Sequence, residues 1–303
     1  MSAATVARPP RVALVLKRSA WDRLMARPDG RMRELMRRAD PTVAKVKASH
    51  TSHVETVAEV KRALAEAGVR YCVVPRTRAG FDATAFDLVV TVGGDGTLLY
   101  ASHSVGDQPV LAVNSAPQHS VGFFCGARKG RVREAVASAL RGQSKRVLLT
   151  RMRVALGGRT VSSRVLNDAL FCHVSPAATT RYIIELDGLV EEHKSSGFWI
   201  GPAAGSTAAQ RSAGGKVLPL GSRELQLVVR EPYTPLGEQY QLWRAMVQPG
   251  HVLRVRSKCH EARLFLDGAD NEVRVALGDV VELSESGEPL TLLGTPARRR
   301  WRR

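Results

Sequence analysis

Apolar positions change their rhythm about halfway along this chain. In the first half, short apolar runs alternate with stretches of helical spacing. Arg11 to Lys17 (RVALVLK) reads as a first strand. Ser19 to Ala39 is basic, and Trp21, Leu24, Met25, Leu35 and Met36 give it a partial helical stripe. Ser52 is placed to cap a helix that starts at His53 or Val54 and runs to Ala67, with Gly68 as its stop. Val69 to Val74 is a second strand, ended by Pro75. Asp87 to Val92 is a third, and Val110 to Val113 a fourth. Val132 to Leu140 is a helix with Gly142 behind it. This alternation predicts an α/β domain with a parallel, doubly wound, Rossmann-like sheet.

Near Lys145 the helical spacing gives way. Arg151 to Leu156, Val161 to Phe171, Arg181 to Leu186, Leu225 to Val229, Val252 to Val255, Ala262 to Leu266, Val273 to Val275 and Val280 to Leu283 read as short strands between Gly, Asp and Pro turns. One helix is predicted among them, around Thr207 to Ser212. The organisation expected is an α/β domain over residues 1–145, a β-rich, sandwich-like domain over 146–297, and a basic tail over 298–303. The last strands have the option of returning to the first domain, which periodicity does not decide.

Composition narrows the class. At 303 residues with 44% hydrophobic side chains, the chain can build a substantial core. No apolar stretch approaches the roughly 18 residues of a membrane helix. The start, MSAATVARPP, lacks the apolar stretch of a signal peptide, and a first strand near Arg11 leaves little room for a removable transit segment. Cys72, Cys125, Cys172 and Cys259 are far apart and form no CxxC pair, which suits reduced thiols in or near the core and a cytoplasmic setting. The net charge of +17 fits nucleic acid, a field that draws in polyanionic nucleotides, or simply solvated basic faces. Aromatics are only 5% and are not interleaved with the basic residues, which argues against a platform for single-stranded nucleic acid. The densest basic run, Arg298 to Arg303, reads as a solvated tail.

The candidate chemistry centres on Val89 to Ala101, VVTVGGDGTLLYA. A buried strand runs into Gly93, Gly94, Asp95, Gly96 and Thr97, and an apolar helical turn follows. That layout points free backbone N–H groups at a phosphate, and glycine removes the Cβ atoms that would hold a nucleotide away. Asp95 sits in the middle of the turn. An acid beside a phosphate is repelled unless it holds a cation or takes a proton, which points to phosphoryl transfer rather than simple anion binding. Three further stretches stand out. Asn114 to Gly126 (NSAPQHSVGFFCG) is longer than an ordinary connection. Asn167 and Asp168 interrupt an apolar run, VLNDALF, where unpartnered polar groups are expensive to bury. A bulge or turn accounts for them, and so does a ligand that takes their hydrogen bonds. Ser195 to Gly215, rich in small residues, again suits close approach of a ligand. His50 and His53 lie three apart near a helix start and lack an obvious third metal ligand; surface or capping roles are expected, and no protein metal centre.

In this order the pieces resemble the NAD kinase family: GGDGT at Gly93 to Thr97, the Asn-acidic pair Asn167 and Asp168, GSTA at Gly205 to Ala208, SAGG at Ser212 to Gly215, and Leu-Asp-Gly at Leu266 to Gly268. The likeness is greatest to the mitochondrial-type branch, through the loop Val113 to Gly122, KSSG at Lys194 to Gly197, and REP at Arg230 to Pro232. The chain departs from the common pattern at Ser196, where the family has Asp, at Pro202 to Ala204, where it has Thr-Pro-Thr, and at Ala209, where it has Tyr. The resemblance implies ATP-dependent phosphorylation, with Mg²⁺, of the 2′-hydroxyl of the adenosine ribose of NAD(H). It also implies a homodimer or homotetramer. Asp95 would be the general base. Gly93, Gly94, Gly96 and Thr97 would hold phosphates, and Asn114, Asn167, Asp168, Lys194, Thr207, Ala208 and Ser212 would bind the dinucleotide. An NAD(H)-binding sensor with little activity is one alternative. A lipid kinase of the diacylglycerol or sphingosine type, which shares GGDGT, is the other.

Overall fold

The computed structural model describes residues 8–74, 80–234 and 239–295. Pro75 and the tail Arg298 to Arg303 lie outside the described residues. In chain order the elements are β1 (Arg11–Leu16), α1 (Ala20–Ala26), α2 (Gly30–Arg37), α3 (Pro41–Glu66), β2 (Arg70–Val74), β3 (Leu88–Gly93), α4 (Asp95–Ser102), β4 (Val110–Asn114), β5 (Ala127–Arg128), α5 (Val132–Leu140) and β6 (Arg146–Leu149). There follow β7 (Met152–Leu156), β8 (Arg159–Val165), β9 (Ala169–His173), β10 (Thr180–Leu186), β11 (Leu189–Ser195), β12 (Phe198–Pro202), a 3₁₀ turn at Ala203–Thr207, and α6 (Ala209–Ser212). The chain then forms β13 (Leu225–Val229), β14 (Arg244–Val247), β15 (Val252–Ser257), β16 (Ala262–Leu266), β17 (Glu272–Val275), β18 (Val280–Glu285) and β19 (Leu290–Leu293). Two compact units result, residues 8–147 with 291–295 and residues 148–290.

The first unit is built on a sheet in the order β2-β1-β3-β4-β19-β6, with β5 beside β4. Strands β1 to β4 are parallel, and β19 joins parallel to β4 with Leu292 opposite Val110. β3 and β4 are buried along their whole length, which is why they read as unbroken apolar runs. Val12, Leu14, Val90, Val92 and Leu111 pack against Val60 and Leu64 of α3 and Val132 and Val136 of α5. Because β1 lies between β2 and β3, the winding of the sheet reverses there. In such sheets ligands bind outside the carboxyl ends of the strands at that switch point.

The helix expected to start near His53 begins earlier. Asp40 caps it by accepting the Thr42 N–H at 2.9 Å, and Pro41 fills the first position. The basic residues that follow hid its periodicity. Ser52 instead donates to the Ser115 carbonyl at 2.9 Å. The partial stripe over Ser19 to Ala39 becomes two helices, capped by Ser19 and Asp29.

The second unit is a β-rich sandwich of two antiparallel six-stranded sheets, β11-β10-β15-β18-β7-β8 and β14-β13-β12-β9-β16-β17. Tyr182, Ile184, Leu253 and Val255 from one sheet share a core with Phe171, Phe198, Ile200 and Leu264 from the other. The Phe171 and Phe198 rings stack at 5.2 Å, and Tyr182 meets Phe171 edge-on at 5.6 Å. β11 and β14 escaped the sequence pattern because they are edge strands carrying charge, and β12 because it ends in Gly-Pro. The single strand expected over Val161 to Phe171 is two, β8 and β9. The helix expected over Thr207 to Ser212 is the 3₁₀ turn followed by the four-residue α6.

Candidate functional site

In the first unit, β3 delivers the glycine turn to the carboxyl edge of the sheet and α4 starts directly at Asp95. Gly94 caps α4 with no side-chain hydrogen bond, so the cap residue leaves the helix N–H groups free for other partners. The glycines serve different ends. A Cβ on Gly93 would lie 2.1 Å from Thr97 Oγ1 and 3.0 Å from Lys17 Cβ, and one on Gly94 would lie 2.6 Å from Ser120 Oγ. A Cβ on Gly96 meets nothing within 4 Å, so the turn is open there. Thr97 is buried, and its N–H donates to the Gly94 carbonyl at 2.9 Å.

Asp95 is oriented by the loop that follows β4. Its Oδ2 accepts the Phe123 N–H at 2.8 Å and its Oδ1 the Phe124 N–H at 2.9 Å. Two amides leave lone pairs on both oxygens for a further donor or cation. Asn114 shapes that loop from inside: its Nδ2 donates to the Ser120 carbonyl at 2.9 Å and its Oδ1 accepts the Ala116 N–H at 3.1 Å. Gly122, at φ +60°, leaves room for it; a Cβ there would fall 2.2 Å from Asn114 Nδ2. The returning end of the chain braces the same loop, since Thr295 Oγ1 donates to the Phe124 carbonyl at 2.9 Å. Burial, then the charge of Asp95, pushes the neighbouring Cys125 thiol up, so it stays protonated and is no nucleophile.

A buried polar cluster lies behind the turn. His53, expected at the surface or in a cap, is only 5% exposed, and its Nδ1 lies 3.0 Å from Ser115 Oγ. Thr56 and Ser52 donate to the Ser115 carbonyl, whose own N–H donates to Gly93 O at 2.8 Å. His50 Nδ1 lies 2.9 Å from the hydroxyl of Ser19, the cap of α1. Because α3 begins at Pro41, both histidines fall in mid-helix rather than at a start. Among the described residues no group of three His, Cys, Asp or Glu side chains is disposed to hold a metal.

In the second unit, Asn167 and Asp168 occupy the corner where the chain leaves the sheet of β8 for the sheet of β9. The corner is held by Asp267, which the sequence left without a role. Its Oδ2 accepts the Leu166 N–H at 2.8 Å, and its Oδ1 accepts the N–H groups of Asn167 at 2.6 Å and Asp168 at 3.1 Å. Asp267 does this from a left-handed backbone, φ +53°, which Asp tolerates better than most residues. The Asn167 side-chain Oδ1 is buried with no hydrogen-bond partner. Burial, then the charge of Asp267, pushes the Asp168 carboxyl up to about 7.

The 3₁₀ turn closes against this corner. Cβ atoms on Gly205 and Gly201 would lie 1.7 and 2.3 Å from the Asn167 carbonyl oxygen, so only glycine permits the approach. Gln210, fully buried, donates to the same carbonyl at 3.4 Å and accepts from Gln226 at 3.0 Å. Thr207 and Ala208 stand half-buried at the end of that turn, and Ser212 is exposed at the end of α6. Lys194 belongs to β11 in the other sheet, opposite Arg181, and its carbonyl accepts the Tyr233 N–H at 2.8 Å. Sequence reasoning missed Lys17, His53, Ser115, Gln210 and Gln226; a basic residue closing an apolar strand was the available signal for the first.

Solved structures share this architecture. An NAD kinase from Archaeoglobus fulgidus in complex with ATP superposes with a TM-score of 0.70 at 20% identity, covering 96% of each chain. Yeast NADH kinase complexed with NADH gives a TM-score of 0.66 at 16% identity, covering 96% of this chain and 86% of the other. The fold, an α/β unit followed by a β-rich unit, is therefore the one these two structures have. Sequence makes the assignment narrower. The family model for the ATP-NAD kinase N-terminal domain matches residues 3–142. A probable NADH kinase of Oryza sativa subsp. japonica is 32% identical over 263 residues, covering 80% of this chain and 81% of the relative. An NADH kinase of Arabidopsis thaliana is 32% identical over 229 residues, covering 68% of this chain and 72% of the relative. The chain belongs to the NAD kinase family.

Proposed function

We propose that this protein is the phosphotransferase its family membership describes, an NAD(H) kinase that uses ATP to convert NAD(H) to NADP(H). Asp95 carries the reading: a carboxylate at the open N-terminus of α4, on the carboxyl edge of the sheet, aimed by two backbone amides. As the ribose 2′-oxygen attacks the γ-phosphorus, its proton passes to Asp95. The β–γ bridging bond breaks, and ADP leaves with the electron pair. A base in such a position contributes about 10²–10⁴-fold, and positioning and charge at the phosphoryl group supply much of the rest. The turn of Gly93, Gly94, Gly96 and Thr97 holds donor phosphates through its backbone, apart from the Thr97 N–H, which donates to the Gly94 carbonyl. Asn167 and Asp168 hydrogen-bond the acceptor, with Thr207, Ala208 and Ser212 beside them. Lys194 adds positive charge, and Asn114 acts through the loop it shapes.

Mg²⁺ accompanies ATP in this reading, neutralising charge on the donor phosphates. The cation would be held through the donor phosphates, leaving Asp95 free to take the ribose proton. Assembly as a homodimer or homotetramer and a cytoplasmic setting belong to the same reading. The setting draws on four free cysteines, and light scattering and fractionation test the two. No described helix is long and apolar enough to cross a membrane. Neither an inactive sensor nor a lipid kinase is favoured by the family. Incubation with Mg-ATP and either NAD or NADH, with product read by a coupled NADP-specific dehydrogenase, should give turnover; no NADP(H) from either acceptor refutes the assignment.

A further inference from the structure

The glycine turn alone is a poor host for a triphosphate. The N-terminus of α4 offers about half a positive charge, and the Asp95 carboxylate at its first position outweighs it. Mg²⁺ offsets part of this charge, and a protein cation beside the turn offsets more. Lys17 stands there. It is the residue that closes β1 at the switch point, its N–H donates to the Val92 carbonyl at 2.9 Å, and its Cβ lies 3.0 Å from where a Gly93 Cβ would be. The side chain is half-buried and, among the described residues, forms no ion pair. Burial, then the like charge of Arg23, lowers its pKa. The His53 ring, itself near Ser115 Oγ at 3.0 Å, hydrogen-bonds the Lys17 carbonyl and so fixes this strand end from behind. A half-buried cation with a like charge near and no carboxylate paired to it among the described residues is destabilising, and an anionic ligand relieves the conflict.

We propose that Lys17 binds the phosphate groups of the nucleoside triphosphate donor, offsetting the repulsion between those phosphates and Asp95. This rests on the kinase reading above and adds a residue to the donor side of its site. The competing account is that the lysine stem merely covers Gly93 and Thr97. Lys17→Met keeps the stem and removes the charge, while Lys17→Arg keeps the charge.

With Mg-ATP and NAD in the coupled assay, Lys17→Met should raise the KM for ATP at least about tenfold, the scale of one lost charge-assisted contact, and change the KM for NAD less than about twofold. Lys17→Arg should restore most of kcat/KM for ATP. Without nucleotide, the Tm of Lys17→Met should equal or exceed that of the natural protein, and the rise in Tm on adding Mg-ATP should be lost. An unchanged ATP KM in Lys17→Met overturns the proposal. So does a lowered Tm with equal losses toward both substrates, which is the mark of a packing role. If Lys17→Met does not fold, the same comparison is made with Lys17→Gln. A natural protein that forms no NADP(H) would refute the kinase reading instead, and the ATP-induced shift in Tm, compared between natural and variant proteins, would still decide the role of Lys17.

Discussion

Asp95 in the first unit and Asp267 in the second each turn both carboxylate oxygens toward backbone N–H groups of a neighbouring loop. Asp95 takes two, from Phe123 and Phe124, at the mouth of a helix and beside the open space at Gly96. Asp267 takes three, from the consecutive residues 166–168, from a left-handed backbone. In the first case the loop aims the acid and leaves it capacity to act. In the second the acid shapes the loop, and the unmet hydrogen-bonding capacity moves to a neighbour, the buried Oδ1 of Asn167. In the proposed function, the same interaction prepares a reacting group in one unit and a gripping group in the other. Neither role follows from the residue type alone.

Four substitutions sharpen or break this contrast. Asp95→Asn should have the largest effect, lowering kcat by about 10²–10⁴-fold while NAD still binds in calorimetry; an unchanged kcat removes Asp95 from the chemistry. Asp267→Ala should act on the fold instead, losing about 2–4 kcal/mol in urea denaturation as buried amides of the corner lose their acceptor. If its stability is natural and only turnover falls, Asp267 is not the scaffold described here. Asn167→Ala should raise the KM for NAD about tenfold, equivalent to ~1.4 kcal/mol, without lowering Tm, because Oδ1 has no protein partner to lose. A lower Tm with an unaltered KM would make that asparagine structural.

The fourth effect is one of pH. The Asp168 carboxyl titrates near 7 in the folded protein, against about 4 in an unfolded chain. Between those values the folded form binds more protons, so stability falls as pH rises through that window and is flat above it. Asp168→Asn should flatten this slope when urea midpoints are compared across the window; identical slopes in the two proteins would contradict the assignment.

Much of this was legible in the residues. Strands β3 and β4 announce themselves because burial on both faces leaves nothing polar in them, and the glycines after β3 mark the turn because a Cβ at Gly93 or Gly94 would collide. The interruption at Asn167 and Asp168 was visible as a break in an apolar run. That the break is a crossing between two sheets was not, because the partner that defines it, Asp267, lies about a hundred residues onward. The start of α3 was misplaced since a capped Asp-Pro entry was followed by exposed basic residues. His53 was misread with it, because its burial depends on Ser115 and the end of β1. Local rules reach as far as the local chain supplies the partners.

One feature of the first unit bears on how the molecule is made. Its sheet gains a strand from Leu290–Leu293, and the loop that aims Asp95 is tied down by Thr295. Gly126 in that loop lies so near Leu293 that a Cβ there would fall 2.2 Å from the Leu293 carbonyl oxygen. A ribosome therefore releases the glycine turn long before the residues that brace the loop around it. The half-made protein carries its acid in place but unsteadied, and translation has to pass through the whole β-rich insert before that acid is locked.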